Sequence, residues 1–326
     1  MRCQLLSQAD PAQLERYRTF YFEWFDRLVT GLLPTEVGAD AEVALVAAWE
    51  QAQNVLPPKE CCEWLLERCA PFDRCSRHWL VSPLLEGAVA MLANVGQTET
   101  AIGGRVVYKL GIALKGRADY AAAEDSYRRA LDIRSRAFGL RSMQAADVMH
   151  DLGVLLYTID RNDESEKFLL EALSIRQEVC GPASGAVGTS LSNLAALYFR
   201  QDRLEEARSL YREALSLRRN GGISEGAIAS TLEGLGRALA RLGEFDEAET
   251  AVAESLEIRT RCIGPSSAPT ASSLHALGEL KLAEGQLQAA REALGRAYEL
   301  RALHLGLGHP LSIETAALLG TLGASV

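Results

Sequence analysis

The chain has 326 residues, 48% of them hydrophobic, which is enough for a substantial core. Its formal net charge is −9, and the acidity sits early: residues 1–100 hold 8 Lys and Arg against 14 Asp and Glu, the remainder 26 against 29. Neither part has the basic face that nucleic-acid binding needs. No apolar run nears the roughly 20 residues that span a bilayer. Residues 1–18 lack the apolar stretch of a secretory signal, and Asp10 and Glu15 argue against a transit peptide. Seven cysteines without a regular pairing pattern fit a reducing compartment, so the expected setting is the cytoplasm.

All four tryptophans, Trp24, Trp49, Trp64 and Trp79, fall before residue 80, which marks residues 1–96 as a separate helical region. Asp10-Pro11 predicts a helix start, with the N-cap followed by proline at the first helical position. The helix it opens carries Leu14, Tyr17, Tyr21, Trp24 and Leu28 on one face, widened by Phe20, Phe22 and Phe25. This aromatic cluster fits a bundle that caps the downstream helices, because the end of a repeat stack exposes an apolar face. It also fits a docking helix presenting Tyr21, Trp24 and Phe25 to a partner. Further helices are expected near 41–55, 59–69 and 83–93, with Pro57-Pro58 between two of them, Ser82-Pro83 capping the last and Gly96 closing it.

Cys61, Cys62, Cys69 and Cys75 cluster in this region with His78 nearby. Only Cys75 and His78 have the spacing of a zinc ligand pair. Cys61, Cys62 and Cys69 read as one helix face in the core, where free cysteine behaves as a small apolar residue. No metal and no cofactor is expected.

From residue 97 onward two phrases recur in step. An apolar residue followed by arginine stands at Ile133-Arg134, Ile175-Arg176, Leu217-Arg218, Ile258-Arg259 and Leu300-Arg301, at intervals of 42, 42, 41 and 42 residues. Leu110-Gly111, Leu152-Gly153, Leu194-Ala195, Leu235-Gly236, Leu277-Gly278 and Leu319-Gly320 keep the same step. Two marks locked to one period define a repeated supersecondary unit. Within one unit, Leu191, Leu194, Ala195, Leu197 and Tyr198 follow helical spacing. Asp202-Arg203 breaks the pattern, and Leu204, Ala207, Leu210, Tyr211, Ala214, Leu215 and Leu217 restart it. Each unit is therefore a helix, a short turn and a second helix. Each helix is apolar on one side, so neither is stable alone in water. Small residues stand where the two helices approach: Gly111, Ala123 and Ala130; Gly153, Ser165 and Ala172; Ala195, Ala207 and Ala214; Gly236, Ala248 and Ser255; Gly278, Ala290 and Ala297.

This arrangement resembles the tetratricopeptide repeat, which has Leu-Gly in its first helix and an alanine, bulky residue, alanine set in its second. The 42-residue period, the Leu197-Tyr198 pair and the linkers Gly181-Pro182 and Gly264-Pro265 resemble the kinesin-light-chain type of repeat. His309-Pro310 also resembles that type's His-Pro linker. The first and third linkers lack the proline, and the third is one residue short. The resemblance implies an all-α, tetratricopeptide-type α-solenoid. It would comprise five helix pairs (about 103–143, 144–185, 186–226, 227–268 and 269–309), with a capping helix at 310–322 sealing an array that spans 97–323. It hints at a cytoskeletal or ciliary variant of the cytoplasmic setting.

Catalytic signatures are missing: there is no Gly-rich phosphate loop, His-Glu-x-x-His or nucleophile elbow. His150 and His275 hold equivalent first-helix positions three units apart. At roughly 10 Å per stacked helix they cannot form a dyad. The recurring arginines are expected on the outer, solvated edge of each second helix, paired with acids of a neighbouring unit; the alternative is a cationic ladder for an acidic partner. By the resemblance, a partner-binding groove would be lined by Arg105, Tyr108 and Lys115 in the first unit and Asp147, His150 and Tyr157 in the second. Asn193, Phe199 and Arg200 would follow in the third, Glu233, Arg237 and Arg241 in the fourth, and His275 and Glu279 in the fifth. The expected function is non-catalytic: an adaptor or assembly scaffold that holds a protein or peptide in that groove, with no small-molecule substrate, nucleic acid or membrane as partner. A fixed structural subunit of a large assembly and a peptide-sensing regulator are the alternatives.

Overall fold

The computed structural model describes Glu23 and residues 38–74, 77–221 and 224–323, so Tyr21, Trp24, Phe25 and Cys75 lie outside the described residues. The chain forms two compact units, Met1–Ile159 and Asp160–Val326. The described residues form helices joined by short turns, without strands.

The first unit contains α1 (Ala39–Val55), α2 (Pro58–Arg68), α3 (Ala70–Arg74), α4 (His78–Asn94), α5 (Ala101–Gly116), α6 (Tyr120–Phe138) and α7 (Met143–Thr158). Pro58 opens α2 at its first position, where a missing N–H costs nothing. Trp49, Cys61, Cys62, Trp64, Leu65 and Cys69 are buried together with Leu85 and Ala88, so the three described cysteines of the cluster are core residues. Burial raises the Cys61 thiol to about 12, with Cys62 adding to it, and raises the Cys62 thiol to about 11.

The expected Ser82-Pro83 cap is corrected by the structure. Helix α4 begins five residues earlier and carries Pro83 inside it. Ser82 is buried and its Oγ accepts from Arg117 Nη1 at 2.8 Å, which ties α4 to the end of α5. The His78 ring lies against Gly116, where a Cβ would collide with it. Gly96 adopts φ +68° and ends α4 as expected. Helix α4 thus packs against α5.

The second unit contains α8 (Asn162–Cys180), α9 (Gly185–Arg200), α10 (Leu204–Asn220), α11 (Glu225–Leu242), α12 (Phe245–Ile263), α13 (Ala268–Ala283), α14 (Leu287–Leu305) and α15 (Pro310–Gly323). In chain order, α5–α6, α7–α8, α9–α10, α11–α12 and α13–α14 are the five repeats, and α15 follows as a single helix.

Local chemistry sets each boundary. The side chains of Thr100, Ser142, Ser184 and Ser267 accept the N–H three residues on, capping α5, α7, α9 and α13. The turn inside each repeat has one left-handed residue at the same place: Ala118, Asp160, Asp202, Gly243 and Gly285, with φ between +62° and +79°. The linkers between repeats use Gly139, Gly181, Gly264 and Gly306, with φ between +82° and +92°, a region a side chain rarely enters. The small residues do what their spacing predicts. A Cβ on Gly111 would lie 2.8 Å from the Tyr127 ring, one on Gly236 2.5 Å from Val252 Cγ2 and one on Gly278 2.5 Å from Leu294 Cγ. Helix α15 packs on the fifth repeat, with Leu322 buried against Ala290 and Leu294 and its carbonyl accepting from Arg291 Nη2 at 2.6 Å.

The recurring arginines are not on a solvated edge. Arg134, Arg176, Arg218, Arg259 and Arg301 are all buried, each less than a tenth exposed. Each reaches from the end of a second helix to the first turns of the next first helix. Arg134 Nη1 donates to the Gln144 carbonyl at 3.0 Å, Arg259 Nη1 to Pro269 at 2.7 Å and Arg301 Nη1 to Leu311 at 2.9 Å, always ten residues on. A hydroxyl fourteen residues on accepts as well: Ser190 from Arg176 at 2.8 Å, Ser273 from Arg259 at 3.0 Å and Thr315 from Arg301 at 2.6 Å. Across the short third linker the offsets shrink by one, and Arg218 Nη1 meets the Ala227 carbonyl at 2.6 Å and the Thr231 hydroxyl. A guanidinium with several fixed donors can staple a carbonyl and a hydroxyl at once, which repays its burial.

Candidate functional site

In the first unit, Tyr108 is held from two sides. Its hydroxyl donates to Asp151 Oδ2 at 2.6 Å, and the Arg134 guanidinium lies over its ring at 4.1 Å. Burial, then the Asp151 charge, push the Tyr108 phenol well above its ordinary value, so it is a fixed donor. His150 is buried, whereas Lys115, Asp147 and Tyr157 are half-buried and Arg105 is exposed.

In the second unit, the first helices α9, α11, α13 and α15 bring most of the remaining residues together. Arg237 and Arg241, one turn apart on α11, place their guanidinium groups 5.2 and 5.4 Å from the ring centre of Phe199 on α9. Arg237 continues to α13, where Nε and Nη2 hold Glu279 as a fork at 2.6 and 2.9 Å. Arg241 pairs with Asp202 at 2.7 Å and Arg200 with Asp160 at 2.5 Å, both acids lying in the left-handed turns. Glu233 pairs with Arg259, whose Nη2 also reaches Ser230 Oγ at 3.1 Å. His275 is buried and faces Glu279 at 3.7 Å and Glu314 at 3.9 Å. Asn193 is half-buried on the same helix as Phe199.

The charges in this cluster differ in kind. Burial by itself would raise the Glu279 carboxyl. His275 and the Arg237 guanidinium outweigh it and hold that carboxyl at about 2. The Arg241–Asp202 and Arg200–Asp160 pairs are well exposed and each is worth roughly 0–1 kcal/mol, so another carboxylate can displace them easily.

Sequence reasoning missed Asp151, Asp202, Glu314 and Thr315. Asp151 stands next to the expected groove position His150. Asp160 and Asp202 had a signal, since an acid recurs at one turn position in successive repeats. Glu314 and Thr315 stand on α15, where only a capping role was expected.

The model of the tetratricopeptide repeat matches residues 105–178, 155–220 and 227–302, together more than half of the chain, and the chain belongs to that family. Its helix pairs form an α-solenoid of this type. Solved structures share the fold. The apo form of RapI matches with a TM-score of 0.65 and 12% identity, over 90% of this chain and 100% of its own. A Rap protein complexed with Competence and Sporulation Factor matches at 0.60 and 16%, over 95% and 88%. BtubC (BKLC) from P. vanneervenii matches at 0.58 and 19%, over 68% and 91%, and kinesin-light-chain-like repeats are also among the similar structures. No curated protein matches by sequence. Among the described residues, no helix is long and apolar enough to cross a membrane.

Proposed function

We propose that the protein is a non-catalytic interaction scaffold that holds a protein or peptide segment on the first-helix face of its second unit. The observation that carries this is Phe199 with Arg237 and Arg241 against its ring. An aromatic side chain and arginines from adjacent repeats are the residue types that dominate binding energy at interfaces. The exposed pair of Arg241 with Asp202 can open toward an incoming acid at little cost. The likeness to a Rap protein complexed with Competence and Sporulation Factor supports a stack of this kind holding a partner.

The test begins with capture of partners from native extract, followed by calorimetry on the purified pair. Phe199→Ala and Arg237→Ala are expected to weaken binding by about 2 kcal/mol each. Arg219→Ala, on the exposed pair of α10 with Glu254, should change nothing. Arg134 and Arg301 are unsuitable controls because they are buried staples. Unchanged affinity in both face variants, with folding verified by circular dichroism, would remove this reading.

A further inference from the structure

His275 stands at the meeting point of α13 and α15 and is 2% exposed. Its Nδ1 lies 3.2 Å from Thr315 Oγ1. The Thr315 hydroxyl has one proton, which it donates to the Leu311 carbonyl at 2.9 Å, and its oxygen accepts from Arg301 Nη1 at 2.6 Å. On this network the hydroxyl oxygen faces the ring as an acceptor, and we assign the hydrogen to Nδ1. In the neutral imidazole, Nε2 is then a bare lone pair. That atom has no hydrogen-bond partner. It faces Glu279 Oε1 at 3.7 Å and Glu314 Oε1 at 3.9 Å, and the three atoms lie within 4.8 Å of one another. Arg237 Nη2 donates to one of these oxygens, Glu279 Oε1, at 2.9 Å, but no donor lies between the imidazole nitrogen and the carboxylates, and a buried lone pair facing two anionic oxygens is an arrangement that a cation completes.

We propose that His275, Glu279 and Glu314 form a binding site for a divalent transition-metal ion of the zinc class. Zinc–nitrogen and zinc–oxygen bonds of about 2.0–2.2 Å put tetrahedral ligand atoms about 3.4 Å apart. The imidazole lies 3.7 and 3.9 Å from the two carboxylates, and the carboxylate oxygens, within 4.8 Å of each other, close by rotamer shifts of up to about 1.4 Å. The supporting contacts leave the inner atoms available. Arg301 approaches Glu314 on Oε2 at 3.7 Å, so Oε1 is the oxygen turned to the imidazole. Arg237 holds Glu279 as a fork, which fixes the carboxylate while Oε1 keeps a further lone pair. Thr315 on Nδ1–H is the kind of outer contact that orients a ligand imidazole. One imidazole with two carboxylates suits zinc or cobalt over magnesium and calcium, which take oxygen ligands. The half-exposed Glu314 gives the ion access from solvent. The two flanking guanidinium groups lower the attraction for a cation, so binding is of moderate strength. The ion would join α13 to the single terminal helix, a role separate from holding a partner on Phe199.

The test uses the full chain, titrated with zinc and separately with cobalt(II) by calorimetry and absorption. Expected is one equivalent bound through nitrogen and oxygen without a thiolate charge-transfer band, undisturbed by magnesium. Affinity should fall at least tenfold in Glu314→Gln and in His275→Gln. Glu314 is half-exposed, so its variant folds and decides the matter if the His275 variant does not. Binding unchanged in Glu314→Gln, a thiolate band on the sole equivalent, or no uptake at millimolar metal would each overturn the proposal.

Discussion

Arg218 and Arg219 are neighbours in sequence with opposite surroundings, which makes them a direct measure of the staple that joins repeats. Arg218 is 6% exposed, and its Nη1 donates to the Ala227 carbonyl at 2.6 Å and to the Thr231 hydroxyl. Burial lowers its guanidinium below the ordinary arginine value, as expected of a charge withdrawn from water. Arg219 pairs with Glu254 at 2.6 Å across the exposed surface. Replacing Arg218 with methionine keeps most of the apolar stem and removes two charge-assisted hydrogen bonds, each worth about 1.5–3 kcal/mol. The desolvation of the buried charge is recovered at the same time, which offsets part of that loss. No partner is stranded, because the Thr231 hydroxyl still donates to the Ala227 carbonyl at 3.0 Å. The expected net cost is about 2 kcal/mol, or about 4–8 °C in Tm for a unit of this size. Arg219→Met should cost no more than about 0.5 kcal/mol. Arg218→Lys should also be destabilised, because an ammonium is more strongly hydrated than a guanidinium and costs more to bury. Urea unfolding followed by circular dichroism, with the slope checked for a change in cooperativity, supplies the comparison. Equal losses in Arg218→Met and Arg219→Met would refute the staple.

Other positions give independent checks. Gly236→Leu should cost about 3 kcal/mol, since even a Cβ there would lie 2.5 Å from Val252 Cγ2, while Gly295→Ala, with nothing within 4 Å, should stabilise by about 0.5–1 kcal/mol. Ala118→Gly should raise stability by about 0.5–1 kcal/mol in a denaturant titration, because alanine holds a φ of +62° that costs about 1–2 kcal/mol without glycine. The buried thiols titrate higher in the folded state than the ordinary value of 9, to about 12 for Cys61 and about 11 for Cys62, so their contribution is complete below pH 9 and is lost as pH rises through those values. Melting temperatures measured across that window should fall less steeply in Cys61→Ala/Cys62→Ala; an unchanged slope would contradict the assignment. Deleting residues 310–326 uncovers Ala290 and Leu294 and strips Arg301 of its acceptors, so Tm should fall and binding of a hydrophobic dye should rise.

The repeat, its period and the close helix contacts were legible because each depends on a local rule. A residue every turn on one face marks a helix, and a small residue at a fixed place marks a close approach, as Gly236 against Val252 shows. The one-residue deficit of the third linker was legible too, and it reappears in the structure as the shortened reach of Arg218 to Ala227 and Thr231. The side on which the arginines lie was not. An arginine at the end of an amphipathic helix looks solvated from its own helix, and its burial is decided by carbonyls that belong to the next repeat. A signal did exist. Ser190, Ser273 and Thr315 stand fourteen residues after their arginines, and Thr231 thirteen across the short linker, and a hydroxyl that keeps step with a charge points to a bond between them.

The candidate site was less legible for a related reason. Phe199, Arg237 and Arg241 come from positions, counted from the leucine-glycine mark, that the family resemblance assigns to a groove, and the structure brings them together. Glu314 and Thr315 belong to α15, for which the repeat count predicts only a capping role. The contacts show otherwise. Through Thr315, which Arg301 of α14 also holds, and Glu314, α15 lies against His275 on α13. A terminal helix that only closed the stack would need its apolar side, Leu318, Leu319 and Leu322. The polar contacts on its other side are an additional demand on the sequence. They concentrate on one imidazole whose inner nitrogen meets two carboxylates, which is why the end of the array, as well as the face on Phe199, is a place to look for ligands.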